Sequence, residues 1–211
     1  MYEYIDEHIS DKKEKAKRKF NRLRLDLMKK SDISVDEVKE KNDKTFDELH
    51  ADDVAFLTAL ILWLNDGDKT DYSVDKFLES YNKTTLYVYN NEVERKKNRY
   101  FESLIGIMAV GSVLESSNLS NADALRNQKT NVNNWNNQTE EFAVDMERDF
   151  TLFGYRKDGV EYVEWVTVAD GHVCDTCDEL NGQVFAIDEL PPRPHRHCRC
   201  EFKPVEKSEI D

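Results

Sequence analysis

Apolar residues recur at intervals of three and four positions through most of the first 155 residues, a spacing typical of amphipathic helices. The clearest stripe predicts one long helix that ends at Gly154 or Gly159. Its members are Leu125, Gln128, Val132, Trp135, Thr139, Phe142, Met146, Phe150 and Phe153. No proline precedes Pro191, so no strong helix breaker interrupts this part of the chain.

Shorter stripes predict further helices upstream. Phe20, Leu23 and Leu27 place the first helix at about 10–30, and Ser34 with Glu37 has the spacing of a capping box that begins the second. We expect the second helix to end near Leu64, and a third helical region to start near Ser73. The buried side of the second helix is predicted to consist of Leu49, Phe56, Leu60, Trp63 and Leu64. The run 84–89 is rich in β-branched and aromatic residues, but we favour a helix because no turn residues interrupt it.

The pattern changes near residue 155. The segment Val160–Val168 has strong β propensity and predicts a strand, and Asn181-Gly182 resembles the bend of a β-hairpin. We therefore predict a mainly α fold, with long helices in an elongated body over residues 1–155. A small α+β module follows at 156–211, with a β-hairpin and a treble-clef-like arrangement.

Charge is distributed unevenly along the chain. The formal net charge of −13 argues against a general nucleic-acid-binding protein. The stretch Lys12–Lys30 nevertheless holds ten basic and two acidic residues, a net charge of +8 that leaves −21 for the rest. This basic helix is either a docking element for an acidic protein or DNA, or simply a solvated helix face. No run of about 18 apolar residues predicts a membrane span, and no signal peptide is expected.

All four cysteines lie between residues 174 and 200, which in a reducing cytoplasm favours a metal site over disulfides. Cys174 and Cys177 form a C-x-x-C motif, and a second cluster begins at His195 after 17 intervening residues. We predict a structural zinc ion bound by Cys174, Cys177, His195 and one or both of Cys198 and Cys200. A turn would select Cys198 and an extended segment Cys200, and the spacing leaves this choice open.

Other chemistries compete with a structural metal. A thioredoxin-like dithiol would need the C-x-x-C motif between a strand and a helix, whereas a polar turn is predicted after Cys177. A catalytic zinc would keep an open position and a nearby base, for which Asp170, Asp175, Asp178 and Glu179 are candidates. Four or five nitrogen and sulfur ligands favour a closed site instead. A treble-clef nuclease that uses His197 is the enzymatic alternative.

Taken together, these motifs resemble a known family. The chain contains a tryptophan with an aspartate five positions later (Trp165, Asp170), then C-x-x-C (Cys174, Cys177), L-x-G-x-x-F (Leu180, Gly182, Phe185) and H-x-x-C-R-C (His195, Cys198, Arg199, Cys200), where the family pattern ends in H-P-x-C-R-C. This set of motifs is similar to the C-terminal signature of the phage head morphogenesis proteins, the phage Mu F-like minor capsid proteins. The likeness is specific over residues 160–204. Arg196 replaces the usual proline, and Gln138 stands where the family's upstream Arg-Thr-Glu would place its arginine.

The resemblance implies a non-enzymatic virion component that is present in few copies in the phage head and in the host cytoplasm during assembly. Its expected partners are the portal protein and a capsid or scaffolding protein, with packaged DNA as a further partner of the basic helix. It would assist head assembly, DNA packaging or ejection, and no membrane association is expected. A cytoplasmic adaptor with a zinc module is the remaining alternative.

Overall fold

A computed structural model describes residues 2–29, 33–67, 85–109, 121–168, 173–195 and 198–207. The predicted third helical region near Ser73 lies outside these residues. The helices are α1 (Glu3–Met28), α2 (Val35–Gly67), α3 (Thr85–Ala109), α4 (Asn121–Lys157) and α5 (Asp175–Leu180). The strands are β1 (Tyr162–Val166), β2 (Val184–Ala186) and β3 (Glu201–Val205). The prediction of a mainly helical chain is thus confirmed, and none of the described helices has the length and apolar character needed to cross a membrane.

Helix α1 begins seven residues earlier than the sequence predicts. Tyr2, Ile5 and Ile9 extend its buried stripe toward the N-terminus, and Glu3 and Asp6 favour the positive end of the helix dipole. At the start of α2 the predicted cap is present, since Ser34 Oγ accepts a hydrogen bond of 3.1 Å from the Glu37 backbone N–H.

Two sequence predictions for helices α2 and α3 can be compared with the structure. Trp63 was wrongly predicted as a buried residue of α2, because its side chain is 38% exposed and lies against the Tyr4 ring instead. The ambiguous run 84–89 is helical from Thr85 onward, as favoured.

The chain divides into two compact units. The helical unit comprises His8–Phe56 and Leu78–Thr139, and the C-terminal unit comprises Met1–Glu7, Leu57–Phe77 and Glu140–Asp211. Helix α4 supplies residues to both. The predicted division at 155/156 stays a prediction.

Four aromatic side chains form the centre of the helical unit. Phe46 packs edge-on against Phe20 and Trp135, with ring centroids 5.5 and 5.3 Å apart. Tyr100 lies 4.7 Å from Phe20 and completes the cluster. All four are almost fully buried, and edge-to-face contacts of this kind add to the free energy gained from burial.

A buried polar network lies in the same unit. Lys12 pairs with Asp53, and Thr139 donates a hydrogen bond of 3.0 Å to Asp53 Oδ2 while accepting one of 2.9 Å from Lys12 Nζ. The stripe position Thr139 therefore contributes a hydroxyl to a buried ion pair rather than apolar surface. Each charge has a partner within the unit, which is what makes its burial tolerable.

In the C-terminal unit the strands form one antiparallel sheet in the order β2-β1-β3, as far as the described residues show. Val163 and Trp165 point to the buried side of β1, and Trp165 stands opposite Phe202 of β3 with ring centroids 5.2 Å apart. The core of the unit combines these side chains with three cysteines. Its buried members are Leu152, Val163, Trp165, Cys177, Ile187, Cys198, Cys200 and Phe202.

The predicted hairpin at Asn181-Gly182 is wrong. Asn181 (φ −60°, ψ 126°) and Gly182 (φ +79°) form a type II turn, closed by a 3.0 Å hydrogen bond from the Gln183 N–H to the Leu180 carbonyl. The turn joins helix α5, rather than a strand, to β2. An Asn-Gly pair suits either turn, because glycine supplies the positive φ that both types require.

Candidate metal centre

Helix α5 positions the first two cysteines. Cys174 is the N-cap residue, with extended backbone angles, and its Sγ accepts a hydrogen bond of 3.4 Å from the Cys177 N–H. Asp175 and Asp178 occupy the first helical turn, where carboxylates are favoured by the helix dipole. One turn of helix therefore presents both thiols on the same side.

This helix corrects the polar turn predicted after Cys177. The C-x-x-C motif does lie at a helix N-terminus after a strand, as in a thioredoxin-like dithiol. The sheet around it is antiparallel, however, so among the described residues no parallel βαβ unit surrounds the motif. The topology, rather than the absence of a helix, separates this module from that fold.

The segment before β3 brings the second cluster to the same place. Cys177 Sγ lies 3.3 Å from His195 Nε2 and 3.7 Å from Cys198 Sγ. The ligand atoms of Cys174, Cys177 and His195 lie within 4.8 Å of one another, and so do those of Cys177, Cys198 and Cys200. All five predicted residues therefore meet around the Cys177 thiol, which belongs to both groups.

The distances match those of a tetrahedral zinc site. Zinc–sulfur bonds of about 2.3 Å and zinc–nitrogen bonds of about 2.05 Å would separate two sulfurs by about 3.8 Å, and a sulfur from a nitrogen by about 3.6 Å. The observed separations around Cys177 are 3.7 and 3.3 Å. The cluster could thus hold a metal ion with little rearrangement.

Burial governs the electrostatics of the thiols. It raises the pKa of Cys177 well above the usual thiol range, and the neighbouring cysteines raise it further. Burial also raises the pKa of Cys200 to about 11. A cation that binds here must therefore displace thiol protons, so metal uptake would release acid.

Carboxylates do not contribute to either ligand group among the described residues, since both groups consist of cysteine and histidine alone. The candidate bases of a catalytic site lie partly in α5, which contains Asp175, Asp178 and Glu179. Asp170 and His197, on which the catalytic and nuclease alternatives also depend, lie outside the described residues. The donors that the structure brings together are therefore cysteine and histidine side chains.

Some residues that support the site were not predicted from the sequence. Tyr2 donates from its hydroxyl to the Cys200 carbonyl at 3.3 Å, across 198 positions of sequence. Tyr155 makes the equivalent bond of 3.1 Å to the Phe202 carbonyl. These hydrogen bonds anchor the backbone of the segment that carries the last two cysteines. No local pattern could have identified Tyr2, because its partner is almost a full chain length away.

Two arginines of the motif hold the same segment to α4 and to the first turn of α1. Arg193 lies 2.6 Å from Asp145, and Arg199 lies 2.6 Å from Asp6 and 3.8 Å from Glu140. Glu140 is the glutamate of the upstream Gln-Thr-Glu, so the upstream motif and the Cys-Arg-Cys motif meet through this ion pair. Both arginines lie next to the predicted ligands in the sequence. That position was the signal that could have identified them as residues that support the site.

Comparison with known proteins adds an independent finding. No curated protein and no solved structure matches the chain. One family model does match, and it reaches further upstream than the motifs that suggested it. Residues 118–203, which include the whole of α4 and the whole cysteine and histidine cluster, match the family described as Phage Mu protein F like protein, and the resemblance read from the motifs is confirmed for this segment.

Proposed function

We propose that the chain is a structural component of a phage head and that a zinc ion holds its C-terminal module together. The observation that carries the proposal is the convergence of four cysteines and His195 on one point within the segment that matches the phage family. The family match supports the proposal of a phage-head protein, and the set of cysteine and histidine donors supports the proposal of a zinc ion.

Zinc fits this donor set better than the other common metals. Thiolate and imidazole ligands select zinc in a tetrahedral site, whereas calcium and magnesium prefer oxygen. We assign Cys174, Cys177, His195 and Cys198 as the four ligands, because Cys198 Sγ lies at a zinc-site distance from Cys177 Sγ. Cys200 would then be a buried neighbour of the site, 7% exposed in the core of the module.

A structural role follows from the number of ligands. Four protein ligands fill a tetrahedron and leave no position for a water nucleophile, unlike the three ligands of a catalytic zinc. The module has a small apolar core, and metal binding is a common way to stabilise such a domain. We therefore propose that the chain is not an enzyme.

Metal analysis of the purified, reduced chain tests the zinc proposal directly. We expect one zinc per chain, and loss of that zinc in Cys177→Ser, whose thiol belongs to both ligand groups. A wild-type chain without zinc after purification and zinc reconstitution would overturn the proposal.

The fourth ligand can be assigned by a matched pair of variants. Cys198→Ser should lower zinc affinity at least tenfold more than Cys200→Ser does, and Cys200→Ser should keep one zinc per chain, because only Cys198 is proposed to bind the metal directly. The reverse result would exchange the roles of the two cysteines. A competition titration with a chromogenic chelator measures both affinities.

The proposed partners are the portal protein, and a capsid or scaffolding protein. The exposed basic residues of α1, among them Lys15, Arg18 and Arg22, offer a surface for an acidic patch on such a partner or for packaged DNA. We expect the chain to co-purify with the portal protein of its phage and to be present in purified virions. Absence from virions would overturn the head proposal without affecting the zinc proposal.

Charge reversal on α1 tests how the partner is bound. The variant Lys15→Glu/Arg18→Glu/Arg22→Glu should lose portal binding and keep its zinc, since none of these side chains belongs to the metal cluster. A triple reversal at lysines of α2, the exposed Lys39 and Lys44 and the half-buried Lys41, serves as the control of equal charge change. Equal loss in both variants would mean that net charge, not α1, determines binding.

A further inference from the structure

Tyr2, which precedes helix α1, is held against the segment that carries the last two cysteines. The residue is 3% exposed, and its hydroxyl donates to the Cys200 carbonyl at 3.3 Å. Burial raises the pKa of Tyr2 and Glu147 raises it further, so the hydroxyl keeps its proton and remains a donor. The backbone N–H of Tyr2 donates to Glu147 Oε1 at 2.5 Å. Tyr2 is therefore held through both its side chain and its backbone, within one compact unit.

The backbone of Tyr2 is strained. Its φ of +65° lies in the left-handed region, which a bulky residue rarely adopts, and among the described residues no other residue except glycine has a positive φ. Such a conformation persists only where surrounding contacts hold it, and it is typical of ligand sites and switch regions. Here Cys200 and Glu147 supply such contacts. Loss of order in the segment 198–200 would remove one of them and let the backbone of Tyr2 relax.

Arg199, which lies between Cys198 and Cys200, makes further contacts with the start of α1. Its guanidinium lies 5.6 Å from the centre of the Tyr2 ring, a cation–π contact, and 2.6 Å from the Asp6 carboxylate. The Asp6 side chain is 56% exposed, so the ion pair adds little and the contact with the buried ring carries more weight. The Asp6 N–H donates to the Tyr2 carbonyl at 2.9 Å and joins both residues to the first turn of α1.

We propose that Tyr2 and Arg199 are positioning residues of the metal site, and that zinc binding and the docking of residues 2–7 strengthen each other. The inference rests on the zinc proposal. Zinc fixes Cys198, and the next two residues of the chain supply the groups on which Tyr2 docks. An ordered segment therefore favours the docking of Tyr2, and by linkage a docked Tyr2 raises zinc affinity by the same factor. Zinc would thereby fix the start of the helix that carries the proposed partner surface.

Zinc affinities of two variants of the whole chain, measured by competition with a chromogenic chelator, test the proposal. Tyr2→Phe removes only the hydroxyl, and Arg199→Gln removes the guanidinium. Each should lower zinc affinity at least about fivefold, which is the lower end of the coupling commonly found between sites. Neither residue is a proposed zinc ligand, so each variant should still bind one zinc per chain.

A tyrosine and an arginine of the same unit provide the matched controls. Tyr4 lies against the Trp63 ring, and Arg156 pairs with the exposed Asp188 at 3.0 Å. Tyr4→Phe and Arg156→Gln should leave zinc affinity nearly unchanged, because neither side chain belongs to the contacts between residues 2–7 and the segment 198–200.

Hydrogen exchange measures the reciprocal effect. The Asp6 amide, which is bonded to the Tyr2 carbonyl, should exchange at least about fivefold faster in zinc-free than in zinc-loaded wild type. Amides around Phe20 of the same helix should keep their rates. In Tyr2→Phe the Asp6 amide should respond less to zinc. A contribution of Tyr2 to stability alone would instead speed exchange equally with and without zinc and leave zinc affinity unchanged.

The outcomes separate this inference from the zinc proposal. Zinc affinities of Tyr2→Phe and Arg199→Gln equal to that of wild type, or an equal loss in the two control variants, would overturn the coupling and leave the zinc proposal intact. A wild-type chain that binds no zinc would overturn both.

Discussion

The two units stabilise their interiors in different ways. The helical unit packs a cluster of four large aromatic rings, and its buried Lys12–Asp53 pair is satisfied by groups of the same unit. The C-terminal unit has a smaller apolar centre, in which three thiols take the place of carbon side chains. We therefore expect the sheet around the cysteines to depend on the zinc that those thiols are proposed to bind, and the helical unit not to.

The thiols explain why this dependence should be strong. With no cation bound, burial keeps the thiols of Cys177 and Cys200 protonated, and they behave as small apolar groups. With zinc bound, the same atoms become ligands, and the binding free energy becomes folding free energy. Apparent values of about 10–16 kcal/mol are typical for structural zinc in small domains. That exceeds what the module's few aromatic contacts could supply.

Outside the metal cluster, the largest effects of single substitutions should come from the two buried tryptophans. Trp135→Ala and Trp165→Ala should each cost about 3–5 kcal/mol, because each removes a fully buried ring and leaves a cavity. Trp135→Ala should lower the urea midpoint of the helical signal in circular dichroism. Trp165→Ala should instead make the C-terminal unit sensitive to limited proteolysis.

Trp63→Ala is the matched control for this pair. Its ring is 38% exposed, so we expect a cost of at most about 1.5 kcal/mol. If Trp165→Ala destabilised the helical signal as much as Trp135→Ala does, the two units would not be separate in stability.

Breaking the buried ion pair of the helical unit should have a comparable or slightly smaller effect. Lys12→Met leaves the Asp53 carboxylate, 1% exposed, without its cation, and should cost about 3–5 kcal/mol. The double variant Lys12→Met/Asp53→Leu should recover most of this loss, because a well-packed apolar pair can replace a buried ion pair. Urea unfolding followed by circular dichroism measures both.

An exposed ion pair provides the control for Lys12. Lys39 pairs with Asp43 on the surface of α2 at 2.7 Å, and Lys39→Met should change stability by less than about 0.5 kcal/mol. A double variant at Lys12 and Asp53 that is no more stable than Lys12→Met would show that the pair does more than balance its own charges.

The smallest effect concerns Glu147 of the C-terminal unit, and it depends on pH. Burial raises the pKa of Glu147, although the Tyr2 backbone N–H, which donates to Oε1 at 2.5 Å, opposes this shift. A raised pKa means that the folded state binds the proton more tightly than the unfolded state does. The contribution of Glu147 to stability is therefore greatest at low pH and falls as pH rises through its folded-state pKa.

Glu147→Gln keeps the acceptor for Tyr2 and removes the charge. We expect the variant to be more stable than wild type by about 1 kcal/mol near neutral pH, and equally stable at acidic pH, where the wild-type carboxyl is protonated. Glu40→Gln, an exposed carboxyl on α2, should show no such trend. A pH-independent difference for Glu147→Gln would contradict this interpretation. Thermal melts across the pH range measure it.

Local patterns predicted the long elements well. The apolar stripe of α4 is confirmed at Gln128, Trp135, Thr139, Met146 and Phe150, which are all buried. The cap at Ser34 and the strand β1 were also predicted correctly, because caps and alternating burial are set by residues a few positions apart. The five ligand candidates were found in the same way, from the spacing of rare, reactive residues.

The wrong predictions concern features that are determined by contacts between residues far apart in the sequence. An Asn-Gly pair suits two kinds of connection, and here the Gly182 N–H and the Gln183 carbonyl are hydrogen-bonded to the backbone of Trp165, which is distant in sequence. The N-terminal extension of α1 depends on Tyr2 and Ile5, which are buried in the C-terminal unit.

Hydrogen–deuterium exchange with and without a strong zinc chelator tests the central claim most directly, namely that a metal stabilises the C-terminal module and not the helical unit. After chelation, verified by metal analysis, amides of β1 and β3 should lose most of their protection. Amides of α1 and α2 around Phe20 and Phe46 should keep theirs. Unchanged protection of Val163 and Trp165 in metal-free protein, or equal loss in both units, would contradict the account.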